Sequence, residues 1–469
     1  MNAVSKQIAL PRPAEWSQQP APGSLPLAFA TLWFFTLLLY VRPNEVFPGL
    51  FGDFPLVKIV AVFALLAYFG GRLARGEALT VWTTELRMVL LICGLGLLFL
   101  PLAASPADSW KTLVDVYLKI VCIFFLLTNL LDTTARLRSI LKLVVCWGAV
   151  LALDAVYSFA SGQFTNREHR IEGMVQGIFG NPNDLAVSLN LLLPLAVALA
   201  MSNRGWKRVF YMVCAVAMGM GVVATFSRGG FLGLLAAGSV LLWKLGRSRR
   251  AAAALTLTLV CGAFLMFMPS EYSGRLSTIL SSDTDKTGSS QERRELLKRA
   301  AGVALSHPII GVGIGNYHIY SLKEKLAHNA YLEITAELGV TGLLAYLALI
   351  LTPLSSMRRV GRETSAALRA ATDTATRAQL HELNSLSIAL QAAFAAYIVC
   401  SLFGSIQYQW FLYYIAAYAV AVRRIHATEN TEQRTTKTEE TPPPQKQVRP
   451  VTRLGRMNSP PWPESATNG

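Results

Sequence analysis

Apolar residues run in blocks near twenty along most of this chain, separated by short polar breaks. A block of that length is what crosses a hydrocarbon core as a helix. Windowed hydropathy gives about twelve such spans. They lie near residues 25–41, 55–71, 87–104, 113–131, 139–160, 184–202, 208–226, 229–246, 251–269, 335–355, 384–402 and 404–422. The expected fold is an all-α integral membrane protein with one long polar interval that contains an amphipathic helix. The expected order is a polar segment 1–24, membrane helices over 25–269, the long loop 270–334, membrane helices over 335–426 and a tail 427–469. That tail is rich in Thr, Glu, Lys and Pro and has too few apolar residues to bury a core, so disorder is expected there.

Composition agrees with this pattern. Of 469 residues, 53% are hydrophobic and 15% charged, against about 25% charged in soluble domains. The formal net charge of +15 would suit a nucleic-acid partner, but no basic repeat carries interleaved aromatics. Lys and Arg instead collect in alternate loops, as they do on the cytoplasmic side of membrane proteins. With the N-terminus inside, the inner loops hold Arg72, Arg75 and Arg87; Arg136 and Arg138; Arg204, Lys207 and Arg208; Arg247, Arg249 and Arg250; and Arg358 onward. The short outer loops hold only Arg42, Lys111, Arg167, Arg170 and Arg228. Both termini are thus expected in the cytoplasm, and the long loop outside. The N-terminal segment lacks a compact signal-peptide pattern. The six cysteines sit singly inside apolar runs and read as packing residues.

Candidate chemistry lies on the outer face. Among His169, His307, His318 and His328, no pair has metal-ligand spacing, so no metal is expected. His328 precedes Asn329, an N-cap type, at the start of an apolar helix. A helix N-terminus disfavours protonation of a nearby imidazole, which leaves it able to accept a proton. The bland alternative is a surface histidine beside a cap. Arg228, in Thr225-Phe226-Ser227-Arg228-Gly229-Gly230, either snorkels to the interface or binds an anion. Arg293 and Arg294 open an amphipathic helix over 293–306, suited to headgroups or to phosphate oxygens. Gly311-Val312-Gly313-Ile314-Gly315 follows no strand and is not a dinucleotide fingerprint; it reads as a flexible turn. Asp283-Thr284-Asp285 could chelate a metal but sits in Ser- and Asp-rich surroundings that read as a solvated loop, and Glu45 and Asp53 are the other outer acidic candidates. Lys119, one turn after Asp115, is either an ion-pair member or a substrate contact. Asp154 and Asn190 are intramembrane polar residues without an evident partner.

Taken jointly, several of these stretches resemble the O-antigen ligase and polymerase superfamily. They are Arg170…Gly173…Gly177-Ile-Phe-Gly-Asn181-Pro182-Asn183, Ser227-Arg228-Gly229-Gly230, Arg293 before Pro308-Ile-Ile-Gly311-Val-Gly313, and His328-Asn329…Glu333…Glu337-Leu-Gly339…Gly342. The resemblance covers residues from about 165 to 355 and implies an inner-membrane glycosyltransferase. Such an enzyme takes a glycan from undecaprenyl diphosphate on the periplasmic face, with no cofactor and no nucleotide-sugar donor. It implies His328 as the catalytic base, with Arg228 and Arg293 on the diphosphate. An aromatic usually follows that last arginine by four residues, and here Leu297 stands there, so Arg294 could hold the place instead. Arg170, Arg294, Asn183, Asn329 and Lys119 are expected substrate contacts. The acceptor implied first is lipid A-core. A polymerase or a protein O-glycosylation ligase would use the same chemistry, and a lipid-linked glycan transporter is the non-enzymatic alternative.

Overall fold

A computed structural model describes residues 24–52, 54–163, 171, 173–175, 179–245, the single positions 251, 254, 258 and 262, and 289–440. Every regular element among them is helical. The long helices are α1 (Pro26–Val41), α2 (Leu56–Ala74), α3 (Thr84–Leu98), α4 (Pro106–Leu130), α5 (Thr134–Ala160), α6 (Pro182–Ser202), α7 (Gly205–Ala224), α8 (Arg228–Lys244), α9 (Ser289–Ser306), α10 (Ala330–Ala370), α11 (Thr374–Cys400) and α12 (Trp410–Glu440). Their starts follow capping chemistry. Thr83, Ser105, Thr133, Asn181, Ser227, Asn329 and Asp373 each accept a backbone N–H of the first turn. Proline opens α1, α4 and α6, where its missing N–H costs nothing.

Eight of the expected spans are helices long and apolar enough to cross a membrane. Two others are shorter: α3 has 15 residues and α8 has 17. At 1.5 Å per residue they reach about 22 and 25 Å, just below and at the short end of membrane-crossing helices. The α3 window overran into Leu100–Leu102, where Pro101 begins a separate short turn. The expected span 251–269 lies outside the described residues apart from scattered positions. The last expected span lies within α12, whose part between Phe411 and Val422 is buried on every side. A helix apolar all round belongs at the centre of a bundle.

Around that centre, α6 packs on α7 and α11, α8 on α11, and α10 on α11, α3 and α9. The described residues through His426 belong to one compact unit. From Ala427 the described residues belong to a second, which is helix through Glu440.

One break in α10 shapes everything above it. Gly339 has φ 66° and ψ −167°, so 330–338 is a separate arm before the long span. The break lets Gly311 and Gly339 pack backbone on backbone. A Cβ on Gly311 would meet Glu337 carbonyl atoms at 2.3 Å, and one on Gly339 would meet the Ile309 carbonyl oxygen at 2.2 Å. The Val312 and Gly313 amides donate to the carbonyls of Ala336 and Glu337, each at 2.9 Å. From the other side, the Ala104 amide donates to the Val312 carbonyl at 2.9 Å, the Ser109 hydroxyl to Ile314 O at 2.9 Å, and the Asn316 amide to Ser105 O at 3.0 Å. The glycine-rich run is therefore not a flexible turn. It is a clamped segment whose glycines permit close approach.

Candidate active site

The N-terminal ends of α8 and α10 are joined by the short connection between α11 and α12. On the α8 side, a Cβ on Gly229 would lie 2.8 Å from Phe403 Cβ, and Cys400 Sγ lies 3.5 Å from Gly229 O. On the α10 side, the Ala330 amide donates to Ser401 O at 2.9 Å, the Asn329 side-chain amide to Leu402 O at 3.3 Å, and the His328 amide to Ser405 Oγ at 3.1 Å. The start of α6 joins them, because the Ser227 hydroxyl donates to Asn183 Oδ1 at 2.8 Å. Helix N-termini carry partial positive charge and unpaired N–H groups. Their convergence favours an anionic ligand, phosphate oxygens above all.

Arg228 is the first residue of α8 and half-buried. Its guanidinium makes no hydrogen bond or ion pair with the described residues. Ser227 caps the helix by accepting the Gly230 amide at 3.1 Å. Asn190, within α6, donates to Gly230 O at 2.7 Å and so fixes the same turn.

His328 stands before the Asn329 cap, as the sequence indicates. Asn329 Oδ1 accepts the Tyr331 and Leu332 amides at 3.1 and 3.0 Å. His328 is half-buried with φ 53°, a left-handed conformation uncommon for a residue with a Cβ. Burial pushes the imidazole below its ordinary pKa, and the nearby charges of Arg293 and Lys325 push the same way, against the opposing Glu292. Two of these groups sit on α9, which places Arg293 on the His328 side. The ion pair of Lys325 Nζ with Glu292 Oε1 at 2.7 Å ties α9 to the strand of chain leading into His328. That pair also holds the Glu292 carboxyl below its usual value. α9 begins at Ser289, four residues before the expected start, and rests Leu296, Ala300 and Ala304 on the arm 330–338 and on Tyr317, whose hydroxyl donates to Leu296 O at 2.9 Å.

The remaining expected contacts divide. Asn183 and Asn329 lie in the joined cluster. Arg294 is exposed on α9 beside Arg293, turned about 100° around the helix from it. Lys119 Nζ lies 3.7 Å from Asp115 Oδ1, with both side chains substantially exposed. Arg170 lies outside the described residues, as do Asp53, Asp283 and Asp285. Glu45 pairs with Arg42.

Sequence reasoning missed the connection itself. Glu333, quoted above only as a motif position, receives the Ser405 hydroxyl, the Gln407 amide at 2.8 Å and the Ala327 backbone N–H at 2.9 Å. Glu337, one turn on, accepts the Tyr317 amide at 3.3 Å beside the Tyr408 hydroxyl. The available signal was the run Gly404-Ser405-Ile406-Gln407-Tyr408-Gln409, polar residues set between two apolar spans.

Comparison with curated protein sequences returns no match. A family model described as O-antigen ligase matches residues 213–347, a stretch that includes Arg228, Arg293, Arg294, His328 and Asn329. That match covers the segment carrying the Ser227-Arg228-Gly229-Gly230 and His328-Asn329 motifs, and it supports the resemblance of this chain to the O-antigen ligase and polymerase superfamily.

Proposed function

We propose that this protein transfers a glycan from an undecaprenyl-diphosphate carrier to an acceptor hydroxyl on the outer face of the bacterial inner membrane, acting as an O-antigen ligase on lipid A-core. The observation that carries this reading is the convergence of Arg228 and His328 on one connection, within or beside the segment matched by the family. The twelve-span layout with both termini inside and the loop outside is part of the same proposal.

The chemistry is a direct displacement. The acceptor oxygen attacks the anomeric carbon, the bond to the diphosphate oxygen breaks, and His328 takes the hydroxyl proton. General-base assistance of this kind is worth roughly 10²–10⁴ in rate. Negative charge grows on the departing diphosphate. Arg228, Arg293 and the N-terminal ends of α8 and α10 supply fixed positive charge there, and such groups stabilise the transition state more than the ground state. The lowered pKa of His328 serves this role, because only the neutral imidazole can accept a proton.

The test supplies purified full-length protein in detergent with an undecaprenyl-diphosphate glycan. Lipid A-core and a second lipid-linked glycan are offered as rival acceptors, with EDTA present. Glycan on lipid A-core is the expected outcome. Lengthened lipid-linked chains would make the protein a polymerase with the same chemistry. Movement of glycan between leaflets with no new covalent bond would overturn the enzymatic reading.

A further inference from the structure

We propose that Glu333 is the positioning residue of this site: its carboxylate, acting through the Ser405 hydroxyl and the Ala327 amide, holds the His328 backbone in its left-handed conformation. The inference rests on the reading of His328 as the base.

Glu333 is 3% exposed, and the bonds it accepts come from neutral donors: Ala327, Ser405 and Gln407. Burying a carboxylate is unfavourable unless donors are fixed around it. An apolar side chain of similar size would serve packing as well or better. What the carboxylate does here is direct hydrogen bonds. Ser405 has one hydroxyl proton, and it is committed to Glu333. The oxygen is therefore left to accept the His328 amide, at 3.1 Å. The preceding amide, Ala327 N–H, ends on the same carboxylate oxygen. Two consecutive amides at the start of the His328 turn thus depend on one side chain.

That dependence matters because φ 53° is not where a histidine rests. The left-handed region is strained for a residue with a Cβ, so an unanchored turn relaxes toward negative φ and carries the imidazole with it. A displacement of about 1 Å from the reacting geometry can cost on the order of 100-fold in rate. Ser405 also lies on the connection that packs against Gly229 through Phe403. Glu333 therefore fixes His328 relative to the start of α8, where Arg228 sits.

Two substitutions separate hydrogen bonding from charge. In Glu333→Ala the Ala327, Ser405 and Gln407 donors lose their acceptor. In Glu333→Gln the oxygen can keep Ala327 and Ser405, while the new amide meets Gln407, whose own side-chain oxygen has no partner and can turn toward it.

The experiment uses the full chain in detergent and reads two quantities. The first is hydrogen–deuterium exchange of the peptide spanning 325–331. The second is kcat and KM for an undecaprenyl-diphosphate glycan. Glu333→Ala is expected to raise exchange in that peptide and to lower kcat about 100-fold, with donor KM changed less than about threefold. Glu333→Gln is expected to exchange like the wild type and to keep kcat within about tenfold. Ser405→Ala, which leaves the carboxylate in place, is expected to raise exchange as well, and it carries the test if Glu333→Ala does not fold. Unchanged exchange in Glu333→Ala and Ser405→Ala would overturn the proposal. So would a kcat loss in Glu333→Gln equal to that of alanine with exchange intact, since the charge would then act directly. If the wild type transfers no glycan, the exchange result alone decides: raised exchange upholds the positioning role while the proposed function falls.

Discussion

The two ends of the helical bundle handle charge in opposite ways. At the end assigned to the cytoplasm by the charge pattern, arginines hold carboxylates. Arg423 makes a two-pronged pair with Glu85 at 2.7 and 2.8 Å, Arg72 meets Glu77 at 2.8 Å, Arg136 meets Asp132 at 3.1 Å, and Arg138 pairs with Glu382. Arg72 is 1% exposed and also lies over the Tyr68 ring. At the other end ion pairs such as Lys325–Glu292 also form, but Arg228 and Glu333 of the candidate site are kept apart from opposite charge. Arg228 holds no carboxylate among the described residues, and Glu333 is buried among neutral donors. At one end the Arg423–Glu85 and Arg138–Glu382 pairs join helices, while Arg72–Glu77 and Arg136–Asp132 fix helix ends locally. Separated charges at the other leave a guanidinium and an imidazole with capacity for a ligand.

This contrast can be broken at either end. Arg228→Ala is expected to lower transfer by about 10²–10³, the usual loss when one fixed donor to developing charge is removed, with little change in the unfolding midpoint. A large fall in the midpoint instead would make Arg228 a structural residue like those at the opposite end. Glu85→Ala is expected to do the reverse. It leaves Arg423 without its carboxylate and should cost about 3 kcal/mol, the low end for breaking a buried pair. Activity per folded molecule should be unchanged, as read from thermal unfolding and turnover on the same preparation.

The smallest effect is a matter of pH. His328 titrates below its ordinary value of about 6.5 because of burial and the Arg293 and Lys325 charges. The base form is present above that lowered pKa, so transfer should hold at neutral pH and fall only as pH drops through it. Removing Arg293 removes one cause of the lowering, so Arg293→Gln should move the acid limb of kcat/KM upward. Glu292→Gln removes the opposing charge and should move it downward. An acid limb that stays in place in both variants would detach it from His328.

Much of this architecture could be read in the sequence, for a plain reason. A span of about twenty apolar residues is a local property, so eight membrane helices appear where the hydropathy windows put them. The Asn329 cap was equally local, three residues deep. The lengths of α3 and α8 were not legible, because a window cannot see that α3 ends at Leu98 before the Leu100–Leu102 turn or that α8 ends at Lys244. The clamp on the glycine run was hidden too, since its partner Ser109 lies 205 residues from Ile314. The same holds within the candidate site. Arg228 and His328 were visible as motif residues, whereas the connection that joins them shows only as a short polar interruption. Glu333 and Ser405 are 72 residues apart, and no periodicity records their bond.

Replacing His328 with alanine in the purified protein is the sharpest check on its role as the base. The two proteins would be compared for glycan transfer at pH 7.5 and for unfolding midpoint in the same detergent. His328→Ala is expected to lose at least about 100-fold of its turnover while unfolding within a few degrees of the wild type. Turnover retained in the folded variant would contradict that role.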